Sequence, residues 1–215
     1  MRKRQPKAQN TPNEAPTRKR LTFLNDAQRQ AYAVCEDNRV AFLLGSSGAG
    51  KTQIALAYAI QKAAMGDFDQ VYITRPCVEA AGDSLGFLPG NMNEKTAPYL
   101  APAMQVAKKV GYEYPIEFIP IAFLRGWTFE NAVVIVEESQ NCSVVQLRLI
   151  LSRLGKGSKI IFTGDENQKD VRDSGLRAVA RSLEGLAGVG IHTFTDADIV
   201  RDPMIGAMLA RLEGL

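Results

Sequence analysis

The most specific spacing in this sequence belongs to a glycine-rich octet that fits the pattern GxxxxGK[ST] in full. The octet consists of Gly45, Ser46, Ser47, Gly48, Ala49, Gly50, Lys51 and Thr52. Glycines let such a loop curl until successive backbone N–H groups point at one anion, and a following helix adds its positive N-terminal end. We therefore predict a phosphate cradle for ATP, in which Lys51 supplies a charge to the β- and γ-phosphates and the Thr52 hydroxyl binds Mg²⁺. The alternative, a glycine-rich turn with an incidental lysine, fits the strand-loop-helix context poorly.

Two acidic residues, Glu137 and Glu138, follow the apolar run at 132–136. The carboxyl ends of strands are where open parallel sheets bind ligands. We expect Glu137 to hold the magnesium ion through water and Glu138 to orient or deprotonate an attacking water. Neighbouring side chains on a strand point to opposite faces, so the two acids need not share one role. Taken alone, the pair is equally consistent with solvated charges at the end of a strand.

A third set of polar residues follows the apolar run at 159–162. The end of this strand would bring Asp165 and Gln168 beside the γ-phosphate, and an amide that both donates and accepts suits a residue that detects a phosphate or a water. Arg201 could stabilise charge on the transferring phosphoryl group, from its own subunit or from a neighbour. A polar turn and a salt bridge of Arg201 to an adjacent aspartate remain the alternatives.

These side chains require a sheet that brings several strand ends together. Short apolar runs, typical of strands buried on both faces, occur at 40–44, 71–74, 132–136, 159–162 and 191–194. Helical patterns occur at 26–36, 51–65, 143–154, 174–184 and 202–212, with Asn25 and Ser143 as candidate N-caps for the first and third. Residues 76–130, with many Pro and Gly, are predicted as an insertion with one helix near 94–110. The alternation predicts an α/β fold with a mostly parallel sheet flanked by helices.

Length and composition favour one soluble domain with a basic tail. The chain has 215 residues, of which 46% are hydrophobic, and no run approaches the roughly 18 apolar residues of a membrane span. Residues 1–20 carry seven basic side chains against one glutamate, a net charge of +6, which leaves −3 for residues 21–215 because the whole chain carries +3. We expect the tail to be disordered, either as an arm that neutralises nucleic-acid phosphates or as a solvated extension.

The same data favour a cytoplasmic location. No apolar stretch follows the basic N-terminus, so a signal peptide is not expected. The three cysteines are widely spaced and lack a CxxC pair, which is typical of buried thiols in a reducing compartment.

Taken in order, these elements resemble the PhoH family, which is named for phosphate-starvation induction and is related to the first RecA-like lobe of superfamily 1 helicases. The resemblance covers residues 21–212. Its most specific stretches are 74–80, 85–90 and Lys95, Pro98–Leu100 and Pro102, supported by 125–128, 138–141 and 174–177. The resemblance implies a single RecA-like P-loop NTPase domain.

The resemblance also implies roles for individual residues. Gln28 is similar to the glutamine of the helicase Q motif and would read the adenine edge, favouring ATP. Residues 164–168 match a GDxxQ motif, and Arg201 resembles an arginine that contacts the γ-phosphate. Glu137 stands where aspartate is usual and Asp202 where histidine is usual.

Two functions of different classes follow. The first is an ATPase that forms a homo-oligomeric ring, such as a hexamer, and acts on single-stranded RNA or DNA, as a helicase-like protein or beside a ribonuclease partner. The second is a nucleotide-gated binding switch with slow turnover, which Glu137 and the single lobe favour. A small-molecule kinase ranks last, because residues 76–130 contain few arginines for a lid.

Overall fold

The computed structural model describes residues 22–76, 100–106, 108–109, 114–165, 174–200, 204 and 211. These residues form six strands, which are β1 Val40–Gly45, β2 Gln70–Thr74, β3 Ile116–Phe118, β4 Ala132–Val136, β5 Lys159–Gly164 and β6 Val189–Phe194. The helices are α1 Asp26–Asp37, α2 Lys51–Ala64, α3 Val144–Leu151 and α4 Leu176–Leu183, and residues 100–106 are also helical. The predicted α/β fold class is confirmed.

All six strands are parallel and lie in the order β3-β2-β4-β5-β1-β6. Strand β1 therefore lies between β5 and β6, with Leu44 opposite Gly164 on one side and Thr193 on the other. Strands β1, β4 and β5 are buried almost throughout, which explains the short apolar runs in their sequences. The carboxyl ends of β1, β4 and β5 consequently meet at one edge of the sheet.

Each face of the sheet is covered by its own hydrophobic core. The first core contains Leu43, Ile135 and Ile161 from the strands and packs against helices α1 and α2. The second contains Phe42 and Phe162, whose rings stack with centroids 4.7 Å apart. That second core includes buried residues of α3 and α4, so the chain forms a three-layer sandwich.

Local signals account for where α1 and α3 begin. The Asn25 side chain accepts a 2.9 Å hydrogen bond from the backbone N–H of Gln28 and so caps α1. At α3, Ser143 and Gln146 form a reciprocal capping box, in which the Gln146 side chain accepts from the Ser143 N–H at 2.9 Å. Both predicted N-caps are confirmed.

Element bounds differ modestly from the expected ones, and one strand was missed. Helix α1 is one residue longer than the 26–36 pattern, whereas α3 and α4 are shorter than 143–154 and 174–184. The helix predicted near 94–110 is confirmed at residues 100–106 and 108–109, whereas β3, which pairs with β2 at the edge of the sheet, was not predicted within 76–130. The predicted tail at 1–20 lies outside the described residues. So does the predicted helix at 202–212, except for Met204 and Arg211, which are helical.

Within the described ranges, no helix is long and apolar enough to span a bilayer.

Candidate functional site

The glycine-rich loop connects β1 to the first turn of α2. Gly45 adopts φ +114°, and a Cβ there would lie 2.1 Å from the carbonyl oxygen of Phe194 in β6, so both space and conformation require glycine. Gly50 adopts φ +93° and is the N-cap of α2, which receives no side-chain capping bond. The first backbone N–H groups of a helix lack intrahelical partners, so the start of α2 can donate to an anion.

Lys51 lies across the loop that precedes it. Its Nζ donates to the carbonyl oxygens of Gly45 at 2.6 Å and Ser46 at 2.8 Å, and the residue is 9% exposed. The adjacent Thr52 Oγ1 lies 3.5 Å from Thr163 Oγ1 at the end of β5. Loop, lysine and threonine are thus held together at the carboxyl edge of the sheet.

A cavity of about 440 Å³ opens beside this loop. It brings together residues from five parts of the chain, and its lining consists of Leu24, Ser47, Gly48, Gly50, Lys51, Thr52, Gln53, Glu138, Gln140, Thr163, Gly164, Asp165 and Val200. Three predicted elements, namely the loop, the second glutamate of the acidic pair and Asp165, therefore meet in one place. Its polar end is formed by the ends of β4 and β5, next to Thr52.

The two glutamates after β4 occupy different environments. Glu137 is 7% exposed and its backbone N–H donates to Thr74 O at 2.9 Å. Burial raises the pKa of the Glu137 carboxyl to about 7, opposed by the nearby positive charge of Arg75. Glu138 adopts φ +51° and is exposed, and this left-handed turn directs the chain so that Glu138, and not Glu137, lines the cavity.

Gln140 joins the ends of β4 and β5 and was given no role by the sequence. Its Nε2 donates to Glu138 Oε2 at 2.7 Å, and its Oε1 accepts from the Asp165 N–H at 3.1 Å. The residue is 2% exposed, and its hydrogen bond to the exposed Glu138 is partly buried. The available signals were its position two residues after the second acid and its place in the stretch 138–141, which supports the family resemblance. Gln140 thus holds the Glu138 carboxylate at the cavity.

Gln28 lies under the loop and not in the cavity lining. Its Oε1 accepts from the Leu24 N–H at 2.9 Å and its Nε2 donates to Ala49 O at 3.1 Å. The residue is 5% exposed, and its Nε2 lies 2.9 Å from where a Cβ on Gly50 would be. Both ends of the amide are thus engaged with the chain's own backbone.

The segment after β6 also contacts the loop. Ser46 Oγ donates to Asp196 Oδ1, and the Val200 N–H donates to Gly48 O at 3.3 Å. Asn25 Nδ2 donates to Asp198 O at 3.1 Å, which ties this segment to the start of α1. The two remaining predicted site residues, Gln168 and Arg201, lie outside the described ranges.

The oxygen donors in the cavity fit a divalent cation. Thr52 and Thr163 present hydroxyls, and Glu138 and Asp165 present carboxylates, which are the hard ligands that Mg²⁺ prefers. In the described part of the chain no group of three or more His, Cys, Asp or Glu side chains is arranged to hold a metal. A cation here would need other oxygens, such as those of phosphates and water, to complete its coordination.

Comparison with known proteins gives consistent results. A family model described as PhoH-like protein matches residues 20–213. PhoH-like proteins from Bacillus subtilis and Synechocystis are each 37% identical, over 194 and 202 residues, which is 85% and 86% of this chain. Protein PhoH of Escherichia coli is 37% identical over 194 residues, 84% of this chain. The chain spans 60% of the first two relatives and 54% of the third.

Among solved structures, the large terminase of a thermophilic bacteriophage, in complex with ADP, aligns with a TM-score of 0.59. Sequence identity is 13%, and the alignment covers 86% of this chain and 49% of the terminase. A second crystal form of that terminase gives a TM-score of 0.60. The overlap shows a shared α/β P-loop fold.

Proposed function

The chain belongs to the PhoH-like protein family, and from that premise we propose that it binds ATP with Mg²⁺ and hydrolyses the bond to the γ-phosphate. The observation that carries the proposal is the convergence of Lys51, Thr52 and Glu138 on one cavity at the sheet edge. A terminase that shares the fold was solved with ADP.

Binding begins with the loop and Lys51. The amine already lies over the loop, where it donates to two carbonyl oxygens. A triphosphate in the cavity would replace these acceptors, and the backbone N–H groups at the start of α2 would add their donors. The loop backbone is already in place, so the main rearrangement on binding is the transfer of the Lys51 amine from its two carbonyl acceptors to the phosphates.

The Thr52 hydroxyl and nearby carboxylates would hold Mg²⁺ against the phosphates. When bound, the cation neutralises charge that develops on the transferring phosphoryl group. Glu137, which does not line the cavity, would bind the cation through a water molecule, and the nearby cation would favour the ionised form of its carboxyl. Its extra methylene relative to aspartate lengthens the reach of the carboxylate.

Glu138 is the group positioned to act on water. Its carboxylate is exposed to the cavity, and the 2.7 Å bond from Gln140 restricts its orientation. Glu138 would orient and deprotonate the attacking water, while Lys51 stabilises the charge on the phosphates. In this proposal the Gln168 amide detects whether a phosphate or a water is present, and Arg201 stabilises charge on the transferring phosphoryl group.

The proposal is tested with two variants and two matched controls. Lys51→Ala should abolish nucleotide binding or turnover, and Glu138→Gln should retain binding while losing turnover. Lys156→Ala and Glu130→Gln change exposed residues of the same types and should leave both unchanged. Phosphate release and binding of a fluorescent ATP analogue are measured in parallel. Equal turnover in wild type, Lys51→Ala and Glu138→Gln would refute the site.

We further propose that the protein works as a homo-oligomeric ring, such as a hexamer, on single-stranded RNA or DNA, alone or with a ribonuclease partner. The support is the family relationship and the single sheet of the described chain. The alternative is a nucleotide-gated switch, which is favoured by the buried Glu137 with its raised pKa. ATP turnover with and without single-stranded RNA or DNA, beside light-scattering mass, separates the two. Strong stimulation in an oligomer favours the motor, and slow turnover without stimulation favours the switch.

A further inference from the structure

The segment that leads into β4 carries a cluster of aromatic rings beside the second hydrophobic core. The Trp127 ring centroid lies 6.0 Å from that of Tyr72, at an interplanar angle of 80°, and 6.0 Å from that of Phe129, at 40°. Phe129 belongs to the second core, and Tyr72 packs against that core. Trp127 is 37% exposed, so its indole is supported on the inner side and open to solvent on the outer side.

Arg153 fastens this aromatic segment to the loop that precedes β5. Its Nη1 donates to the Trp127 carbonyl oxygen at 3.0 Å, and its own carbonyl oxygen accepts from the Phe129 N–H at 2.9 Å. The Trp127 N–H donates to the Leu124 carbonyl oxygen at 3.2 Å, which closes a turn. The indole is thus presented from a fixed backbone, so a flat ligand can stack on it with little ordering of the protein.

The turn beside Trp127 carries a second exposed aromatic residue and a cation. Phe123 is 54% exposed and directly precedes the turn, and Arg125 lies within it and is also exposed. A Cβ on Gly126 would meet no atom of the described chain within 4 Å, so the surface between Arg125 and Trp127 is open. Two aromatic side chains and a guanidinium group are therefore available to one ligand.

The charge of this region is opposite to that of the rest of the domain. Residues 21–215 carry a net charge of −3. Residues 114–130 and 148–158 instead carry a net charge of +2, from the basic Arg125, Arg148, Arg153 and Lys156 and the acidic Glu117 and Glu130. A local excess of positive charge attracts a phosphate backbone.

We propose that Phe123, Arg125, Trp127 and Arg153, which we call the Trp127 patch, bind single-stranded nucleic acid. A base stacks on the indole, and the neighbouring phosphates pair with the two guanidinium groups. The assignment rests on the proposed action on single-stranded RNA or DNA and gives that action a surface. Stacking is tolerant of sequence because every base has a π-face, so the patch should bind RNA and DNA of many sequences.

The Trp127 patch lies away from the nucleotide cavity. Phe129 precedes β4, so the aromatic cluster approaches the amino end of that strand, whereas the cavity lies at the carboxyl edge of the sheet. The four patch residues are not part of the described cavity lining. Changes in the patch should therefore leave the affinity for ATP unchanged.

The experiment uses the fluorescence of Trp127, which is the only tryptophan of the chain. The full chain is titrated with oligo(dT), oligo(U) and an abasic deoxyribose-phosphate oligomer of equal length. The two base-bearing oligomers should quench Trp127 as they bind, and the abasic oligomer should bind more weakly without quenching. Anisotropy of labelled oligomers measures binding independently, and the comparison of oligo(U) with oligo(dT) shows which polymer is preferred.

Variants separate stacking from charge. Trp127→Ser should weaken binding of oligo(dT) about tenfold by anisotropy, and Trp127→Phe should retain most of the affinity because an aromatic face remains. Arg125→Gln should lower the slope of log affinity against log salt concentration by about 0.7, which corresponds to one phosphate contact. Leu186→Ser and Arg29→Gln change exposed residues elsewhere and should have no effect. A thermal melt checks that each variant is folded.

Three outcomes would overturn the assignment. Binding of oligo(dT) and oligo(U) without quenching of Trp127 would place nucleic acid elsewhere, for example on the basic tail at 1–20. Fluorescence that changes with protein concentration alone, and not with the oligomers, would make the patch a contact between copies of the chain. The absence of any nucleic-acid binding would remove the proposed polymer as well. Phosphate release from ATP, measured on the same sample, judges the proposed ATPase separately in each case.

Discussion

A buried lysine outside the cavity gives the sharpest quantitative test of the structure. Lys159 begins β5, is 6% exposed, and its Nζ donates to Glu36 O at 3.0 Å and to the Tyr58 hydroxyl at 2.8 Å. It also donates to the carbonyl oxygen of Cys35. These two carbonyls belong to the last turn of α1, where a cation is favourable to the helix dipole. Lys159 thus fastens the end of α1 to the sheet.

Burial lowers the pKa of Lys159 from 10.5 to about 8, since the charged amine loses solvation. Between these two values the unfolded chain binds a proton that the folded chain has released. The free energy of unfolding therefore rises with pH through this window, and the contribution is about 3 kcal/mol in total. From pH 7 to pH 9 the expected part is about 1 kcal/mol.

Replacement of Lys159 by Met removes this titration while it keeps the apolar stem. The difference in unfolding free energy, wild type minus Lys159→Met, should increase by about 1 kcal/mol from pH 7 to pH 9. Cys35 and Cys142, whose pKa values burial raises from 9.0 to about 12, lower the unfolding free energy as the pH approaches and passes 9, because the unfolded thiols ionise first. This contribution is common to wild type and Lys159→Met, so it cancels in their difference.

Urea unfolding at a series of pH values measures the difference. Lys156→Met is the matched control, because that lysine is exposed, and its difference from wild type should stay constant. A flat difference for Lys159→Met, or one that falls with pH, would refute the assignment of a buried, partly discharged amine.

Three further predictions concern the loop and its supports. Gly50→Ala should weaken binding of ATP and tripolyphosphate, because φ +93° disfavours alanine and its Cβ would lie 2.9 Å from the Gln28 amide. Gly66→Ala is the control: φ +88° in open space should cost about 1 kcal/mol of stability and leave binding unchanged in the same titration. Gln140→Leu should lower kcat for ATP about tenfold with little change in KM, since it removes the donor that orients Glu138. A change in KM alone, measured by steady-state kinetics, would contradict this. Ser143→Ala should lower the unfolding free energy by about 1 kcal/mol in urea without an effect on nucleotide affinity.

Much of the fold was predictable because its signals are local. Strands β1 and β4 are apolar throughout, and β5 is apolar from Ile160 to Phe162, since both faces of the sheet are covered; each was recognised from its apolar run. The missed strand, β3, is three residues long and carries Glu117 at its centre. It exists because Val71 to Ile73 of β2 offer it a partner, which no window of its own sequence reveals.

Within the site, residue types alone determined the phosphate loop, the start of α2 after Gly50 and the presence of acids after a buried strand. The conformational freedom of glycine and the order of residues along the chain are properties of the sequence itself. The tertiary structure decided which glutamate reaches the cavity and which backbone groups the amides of Gln28 and Gln140 contact. Those outcomes depend on atoms brought together from distant parts of the chain, because a side chain's hydrogen bonds are set by its neighbours in space.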